Sequence, residues 1–198
     1  MPQNDLFILR YSKRSDVMNL TEKSISQCYK YRGRIVNMRV DEALLPNGSV
    51  AIREVVEHNG GVCVVALTDN DEVYLVKQFR FPYGEVIYEI PAGKRDGNED
   101  PMLGAIRELK EETGTTADTI IPIGELYPSP GYCGEIIYMF AAKGLHQGDN
   151  HLDEDEFLEA EKVPLEKVVD MIMSGEIKDA KTQAAVLKIA EMKRNGKF

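Results

Sequence analysis

Residues 93–115 read GKRDGNEDPMLGAIRELKEETGT, and this stretch carries the strongest signal for both fold and chemistry. Side chains three and four residues apart on a helix share a face, so Glu108, Glu111 and Glu112 would project their carboxylates together. Packing like charges this closely raises the cost of ionising all of them. A divalent cation removes that cost, and hard carboxylate oxygens suit Mg²⁺ or Mn²⁺. An acidic run by itself is more often a solvated helix face, so the metal interpretation depends on the residues around it.

The flanks of the acidic run predict where this helix begins and ends. Asp100 is a good N-cap acceptor and is followed by Pro101, a residue favoured at the first helical position. Gly114 suits the left-handed residue that ends many helices. Apolar side chains recur at i, i+4 and i+7, namely at Met102, Ile106 and Leu109. This spacing predicts a buried stripe on one face of the helix, with the carboxylates on the other.

The whole stretch resembles the Nudix box, the signature of Mg²⁺-dependent hydrolases of nucleoside diphosphates linked to another moiety. The positions that match the box are Gly93, Glu99, Arg107, Glu108, Leu109, Glu111, Glu112 and Gly114. Matches at so many fixed offsets make a chance hit improbable. The last box position, usually a bulky aliphatic residue that packs rather than reacts, is Thr115 here. The resemblance implies an α+β Nudix fold, in which a mixed β-sheet is sandwiched between helices.

Segments outside the box resemble ADP-ribose pyrophosphatases in particular. They are residues 31–34, 45–48, 78–80, 88–93 and 126–132. In that group an N-terminal antiparallel β-sheet helps to form a homodimer and supplies binding residues to the partner's site. The resemblance therefore implies a β extension for dimerisation over residues 1–55. A Nudix hydrolase domain with C-terminal helices would follow over residues 56–198.

The resemblance also implies the metal ligands. Glu108, Glu112 and the Ala92 carbonyl would hold Mg²⁺, with Mn²⁺ as an alternative, and Glu111 would support them. Arg107 would orient a carboxylate, as the matching arginine does in the family. No histidine takes part in this expectation, because the three histidines of the chain show no paired spacing and are interpreted as structural or solvated.

The catalytic base is expected from a loop beyond the box, where the sequence has four consecutive acids, Asp153–Glu156. By resemblance we expect Glu154 to be the base and Glu156 to assist the metal, and the reverse assignment stays open. Four acids in a row are more often a solvated loop than a site. Closure of such a loop over substrate would exclude competing water.

Candidate substrate contacts lie on both sides of the box. Arg80 could hold a phosphate or the terminal ribose, since a guanidinium gives bidentate recognition, or it could be a surface arginine. Glu89 matches a substrate-contacting acid of the family and could equally be a salt-bridge partner. Arg53 would contact adenine or phosphate across the dimer. Pro130 and Tyr132 lie in the Pro-Gly loop, where Tyr132 could line a ribose pocket or fill the core.

Composition excludes several other classes of function. The net charge of −9, with scattered Lys and Arg, argues against a nucleic-acid partner. The three cysteines have no metal-ligand spacing, and no apolar run approaches the length of a membrane span. We therefore expect a cytoplasmic protein with neither nucleic acid nor membrane as a partner.

Periodicity and turn residues predict the remaining elements. A short helix is expected near residues 22–28, then one strand over residues 29–41 that bends at Gly33, a turn at 45–49 and a strand at 50–57. Further strands are expected at residues 62–68, 73–80, 86–90, 120–126, 135–142 and 157–159, and two helices at 164–174 and 181–194.

The function implied by the resemblance is Mg²⁺-dependent hydrolysis of ADP-ribose to AMP and ribose 5-phosphate. One alternative is the same chemistry on another nucleotide sugar, such as GDP-mannose. A second is a non-catalytic Nudix nucleotide sensor, which ranks lower because sensors usually lose box carboxylates and this sequence keeps all of them.

Overall fold

The computed structural model describes residues 19–148 and 157–198. The strands in these ranges are β1 (Lys23–Arg32), β2 (Asn37–Leu44), β3 (Val50–Glu57), β4 (Gly61–Ala66), β5 (Glu72–Arg80), β6 (Glu85–Glu89), β7 (Ala92–Lys94), β8 (Thr115–Leu126), β9 (Ile137–Gln147) and β10 (Leu158–Pro164). The helices are α1 (Pro101–Thr113), α2 (Leu165–Met173) and α3 (Ala180–Arg194). None of these three helices has the length and apolar character needed to cross a membrane.

The strands form three sheets. The N-terminal sheet is antiparallel, in the order β1-β2-β3. The central sheet has the order β7-β4-β9-β8 and is mixed, because β4 pairs in parallel with β9 while its other pairings are antiparallel. The third sheet is antiparallel, in the order β10-β5-β6. The structure confirms the predicted mixed α+β fold.

Strand β4 lies at the centre of the sandwich, and all six of its residues are buried. Successive side chains of a strand point to opposite faces of its sheet. Val62 and Val64 accordingly pack in one apolar cluster with Leu109 of α1. Cys63 and Val65 pack in a second cluster, which contains residues of α2 and α3. A continuous apolar run is what a strand covered on both faces requires.

Helix α1 begins and ends where its caps predict. The Asp100 side chain accepts hydrogen bonds from the backbone N–H groups of Met102 at 2.9 Å and Leu103 at 3.3 Å. Gly114 ends the helix in the left-handed conformation, with φ of 67°. Both predictions are confirmed.

The predicted buried stripe of α1 is wrong in two of its three members. Met102 and Ile106 are 38% and 41% exposed, whereas Leu109 is buried. The helix instead packs through a face that contains Gly104 and Ala105, and small side chains let it approach β4 closely. A Cβ atom added to Gly104 would lie 3.5 Å from Val62 and 2.9 Å from Glu99. Glu108 and Glu112 share this inward face, so the carboxylates do not lie opposite the packing face.

The N-terminal segment forms strands throughout its described part. β1 covers Lys23–Arg32, so the short helix predicted near residues 22–28 is wrong. The single bent strand predicted over residues 29–41 is two strands, because the chain turns where Gly33 N–H donates to the Val36 carbonyl at 3.0 Å. All residues of β1 are exposed, and a strand without a buried face gives no period in its sequence. The predicted turn at 45–49 and the strand at 50–57 are confirmed.

Replacing the cap of α1 should weaken the domain without touching the inward face of the helix. Asp100→Ala removes the acceptor of two backbone N–H groups and should lower the free energy of unfolding by about 1 kcal/mol. Asp100→Asn is the matched control, because asparagine caps helices as well as aspartate does. Urea unfolding of the three proteins measures the difference. If Asn costs as much as Ala, the charge of Asp100 matters rather than its cap.

Candidate active site

A cavity of about 910 Å³ opens beside α1 and the β4–β7 edge of the central sheet. The lining residues come from several separate parts of the chain: the β1–β2 turn, the segment before β4, strands β5 and β7, helix α1, the loop after β8 and the start of α3. Many of these residues are charged. The predicted site residues among them are Arg80, Ala92, Arg107, Glu108, Glu111 and Glu112.

Two buried carboxylates form one wall of the cavity. Glu108 and Glu112 are 6% and 2% exposed and lie one helical turn apart on α1. The Glu112 carboxylate accepts a hydrogen bond from the Ala92 N–H at 3.0 Å, which ties α1 to the start of β7. A Cβ atom on Gly93 would lie 2.0 Å from a Glu108 oxygen. The Glu108 carboxylate therefore occupies space that only a glycine at position 93 leaves open.

Arg107 connects the carboxylates of the box. It donates to both oxygens of Glu99, at 3.1 and 3.0 Å, and to Glu108 and Glu111, each at 2.8 Å. The hydrogen bond from Arg107 holds the pKa of Glu99 below its ordinary value. The same bond to Glu99, together with the charge of Glu108, raises the pKa of Arg107. One guanidinium thus offsets part of the repulsion within the wall.

The donor set of this wall suits a hard divalent cation. Glu108 and Glu112 offer buried carboxylate oxygens beside the backbone of Ala92, and Mg²⁺ and Mn²⁺ prefer such ligands. Over residues 19–148 and 157–198, however, no group of three His, Cys, Asp or Glu side chains is arranged to hold a metal ion. The carboxylates are held by Arg107 and by the Ala92 N–H instead. The residues fit a metal in chemistry, and their roles as ligands stay a prediction.

A second wall of the cavity contains a cluster of opposite charges that involves Arg80. Glu89, 1% exposed, accepts hydrogen bonds from Arg80 Nε at 2.5 Å and Nη2 at 2.7 Å. Lys181 Nζ also contacts Glu89, and it lies 3.0 Å from Asp179. Arg80, Asp179 and Lys181 line the cavity, and Glu89 lies behind them. Of the two interpretations of Glu89, the salt-bridge partner is the one that matches its contacts with Arg80 and Lys181.

Charge pairing dominates the electrostatics of this second wall. Burial favours the neutral form of Glu89, yet the hydrogen bond from Arg80 and the charge of Lys181 outweigh it and lower the pKa of Glu89. Burial likewise opposes the charge of Lys181, but Glu89 and Asp179 hold the pKa of Lys181 above its ordinary value. Glu89 and Lys181 therefore keep their charges because each lies beside groups of opposite charge.

Several lining residues were not among the predicted site residues. Arg34 and Ile35 reach the cavity of their own chain from the β1–β2 turn. His58 also lines the cavity, with Nδ1 3.1 Å from the Gly60 N–H and 3.3 Å from Glu135. Arg34 belongs to residues 31–34, which resemble the ADP-ribose pyrophosphatases, whereas Ile35 and His58 carry no recognisable spacing. Only the folded chain brings them to one place.

Other predicted site residues lie elsewhere. Arg53, on β3, pairs with Glu22 at 2.7 Å and does not line the cavity. Pro130 and Tyr132 are exposed in the loop after β8, whose backbone bonds to β3 through Val56 N–H and the Tyr132 carbonyl at 2.8 Å. Glu154 and Glu156 lie outside the described residues. The roles of these five residues stay predictions.

Comparisons with known proteins show which family this chain resembles in sequence. The NUDIX domain model matches residues 57–186. An ADP-ribose pyrophosphatase of Bacillus subtilis (strain 168) is 42% identical over 170 residues, which are 85% of this chain and 92% of that protein. A methanol dehydrogenase activator of Bacillus methanolicus is 41% identical, over 83% of this chain and 90% of its own length.

More distant proteins share the same fold or part of the same sequence. A GDP-mannose pyrophosphatase of Yersinia enterocolitica is 36% identical over 66% of this chain and 73% of its own length. A crystal structure of an ADP compounds hydrolase has the same fold, with a TM-score of 0.78 at 22% identity, covering 90% of this chain and 98% of that one. With the family model matched over most of the chain and the box carboxylates facing a cavity, the chain belongs to the Nudix domain family.

Proposed function

We propose that this chain hydrolyses the pyrophosphate bond of ADP-ribose to AMP and ribose 5-phosphate, with Mg²⁺ or Mn²⁺ held by its box carboxylates. The observation that carries the proposal is the pair of buried carboxylates, Glu108 and Glu112, in a cavity that also presents Arg80. Similarity to the Bacillus subtilis ADP-ribose pyrophosphatase over 85% of the chain supports ADP-ribose as substrate.

The reaction adds water to one phosphorus atom of the pyrophosphate and breaks its bond to the bridging oxygen. A bound divalent cation supplies charge neutralisation and makes water more acidic. Glu108 and Glu112 would hold it, with the Ala92 carbonyl beside them and Glu111 in support.

Arg107 keeps the box carboxylates oriented through its hydrogen bonds. Arg80 would donate hydrogen bonds to phosphate oxygens, because the planar N–H groups of a guanidinium match two of these oxygens at once. We assign the base that takes the water proton to Glu154, with Glu156 assisting the metal.

GDP-mannose is the second candidate substrate. The Yersinia enterocolitica relative is named for it and matches 66% of this chain. Both substrates present a pyrophosphate between two sugars, so the two walls described above would serve either. Other lining residues, such as Arg34 and His58, would then distinguish the base and the sugar.

We also propose a homodimer formed through the N-terminal sheet, in a cytoplasmic setting. Large apolar side chains are exposed on this sheet, among them Ile25, Tyr31, Val50 and Ile52. Exposed apolar patches of this kind mark interaction surfaces. The cysteines Cys28, Cys63 and Cys133 are all free, as is usual in a reducing compartment.

A panel of nucleotide sugars tests the proposed reaction. With Mg²⁺, AMP should appear fastest from ADP-ribose when ADP-ribose, GDP-mannose, ADP-glucose and NAD⁺ are compared by chromatography. Glu112→Gln should lower kcat by more than about 100-fold, since even outer-shell partners of a metal typically cost 10- to 100-fold. Glu176→Gln is the control, because Glu176 is exposed and lies outside the cavity. Faster cleavage of GDP-mannose would make GDP-mannose the preferred substrate instead. Full activity of Glu112→Gln would refute the assignment of Glu112 as a metal ligand.

Gly93→Ala tests whether the Glu108 carboxylate must stay where it lies. The new Cβ would meet that carboxylate at 2.0 Å and displace it. Misplacing a reacting group by about 1 Å can cost about 100-fold, so a loss of that size in kcat is expected. Gly134→Ala is the matched control, because among the described residues a Cβ there would meet only the Val56 carbonyl, at an ordinary van der Waals distance of 3.7 Å. Equal activity of the two variants would show that Glu108 can move without consequence.

The dimer proposal is tested by placing a charge on the N-terminal sheet. Ile52→Glu should turn the dimer into a monomer in sedimentation velocity, because a buried unpaired charge is costly at an interface. Met173→Glu is the control, since Met173 is also apolar and exposed but lies on α2. A dimer that survives Ile52→Glu, or a wild-type chain that sediments as a monomer, would contradict the proposal.

A further inference from the structure

The charged cluster around Glu89 consists of two ion pairs, although a single pair would already be neutral. The pair formed by Arg80 and Glu89 is already balanced, and it is joined by a second pair, Lys181 and Asp179. The Lys181 side chain is only 11% exposed. Desolvating ions is costly, and an apolar pair of similar volume often gives equal or greater stability. Stability alone therefore does not account for the second pair.

The second pair is fixed rigidly to the scaffold. Asp179 caps α3 by accepting from the Thr182 N–H at 2.9 Å and from its hydroxyl at 2.6 Å. The Thr182 hydroxyl accepts in turn from the Ile90 N–H at 2.9 Å. The start of α3 is thus attached to the chain directly after β6, where Glu89 lies. Lys181 contacts Glu89 from a defined position.

Because Glu89 is fixed in place, one side of the Arg80 guanidinium is held and the other stays available to a ligand. Glu89 engages Nε and Nη2 of the guanidinium, and Nη1 forms no hydrogen bond with any described residue. The side chain is 38% exposed and lines the cavity. A guanidinium held along one edge presents its remaining N–H donors in a fixed direction, which favours recognition of a phosphate.

We propose that Lys181 is a positioning residue that acts through Glu89 on Arg80, so that Nη1 of Arg80 is ready for the pyrophosphate of the substrate. This inference rests on the proposed function, because it takes a pyrophosphate as the ligand of Arg80. Lys181 also keeps the buried Glu89 paired when an anion draws Arg80 towards the cavity. Binding then does not leave an unpaired carboxylate behind, a state that would be costly.

Lys181→Met tests the proposal, because methionine keeps much of the apolar stem and removes the charge. The KM for ADP-ribose should rise about 10- to 100-fold, as expected when a hydrogen bond to a charged group is lost, while kcat changes little. Lys178→Met is the matched control. Lys178 joins the same two parts of the chain through Glu85 at 3.0 Å, but it is 61% exposed and lies outside the cavity. Its KM should equal that of the wild-type chain, and Lys181→Arg should restore most of the lost affinity.

A double-variant cycle separates positioning from direct contact. If Lys181 acts through Glu89, Lys181→Met should add little to the KM of Glu89→Gln, because the connecting carboxylate is already gone. An equal increase in both backgrounds would make Lys181 a direct substrate ligand and overturn the proposal. A fall in kcat with unchanged KM would overturn it as well. The Glu89→Gln background also keeps the test available if Lys181→Met alone does not fold.

Binding measurements distinguish failure of this inference from failure of the proposed function. Calorimetry with ADP-ribose reports affinity in the same variants whether or not cleavage occurs. If the wild-type chain binds ADP-ribose without cleaving it, the proposed function fails while the effect of Lys181→Met on affinity still tests the positioning. If the wild-type chain cleaves ADP-ribose and Lys181→Met behaves like Lys178→Met, only the positioning role is refuted.

Discussion

Arg107 holds together carboxylates that would repel one another if they were brought together alone. Its guanidinium bonds to Glu99, Glu108 and Glu111, which belong to α1 and to the loop before it. Charges buried without such partners would cost several kcal/mol each, so the face of α1 that carries Glu108 could not otherwise turn inward. The packing of the helix and the composition of the cavity wall therefore depend on the same arginine.

Because α1 presents its carboxylate face to the interior, small residues are required where this helix packs. Small residues at Gly104 and Ala105 let the helix approach β4, and Gly93 leaves the space that the Glu108 carboxylate fills. On the opposite face of the central sheet, α3 packs in the second apolar cluster and begins at the same cavity. Two helices on opposite faces thus deliver charged groups to one place. The sandwich both builds the core and assembles the site.

The sequence predicted those features that depend on neighbours along the chain. Asp100 and Gly114 mark the ends of α1 through local backbone hydrogen bonds, and the box residues fall at fixed offsets along α1 and the segment before it. The face of α1 was harder to predict, because the positions of Met102 and Ile106 follow an apolar period while the packing depends on small residues and on Arg107. Lys181 carried no signal, since a lysine at the start of a helix is ordinary. Its partner Glu89 is ninety-two residues away and meets it only in the folded chain.

The two walls of the cavity pair their charges differently, and this difference has consequences for binding. In the box, the Arg107 guanidinium is shared by three carboxylates, those of Glu99, Glu108 and Glu111. In the second wall, Arg80 and Lys181 are matched by Glu89 and Asp179. A pyrophosphate that approached Arg80 would also lie near the negative charges of the box carboxylates, and Coulomb interactions are strong at short range in a partly dehydrated cavity. Positive charge at the box carboxylates reduces the repulsion that results. If the box carboxylates hold a cation as proposed, we therefore expect this cation and the anionic substrate to strengthen each other's binding, with the second wall fixing the orientation of the substrate.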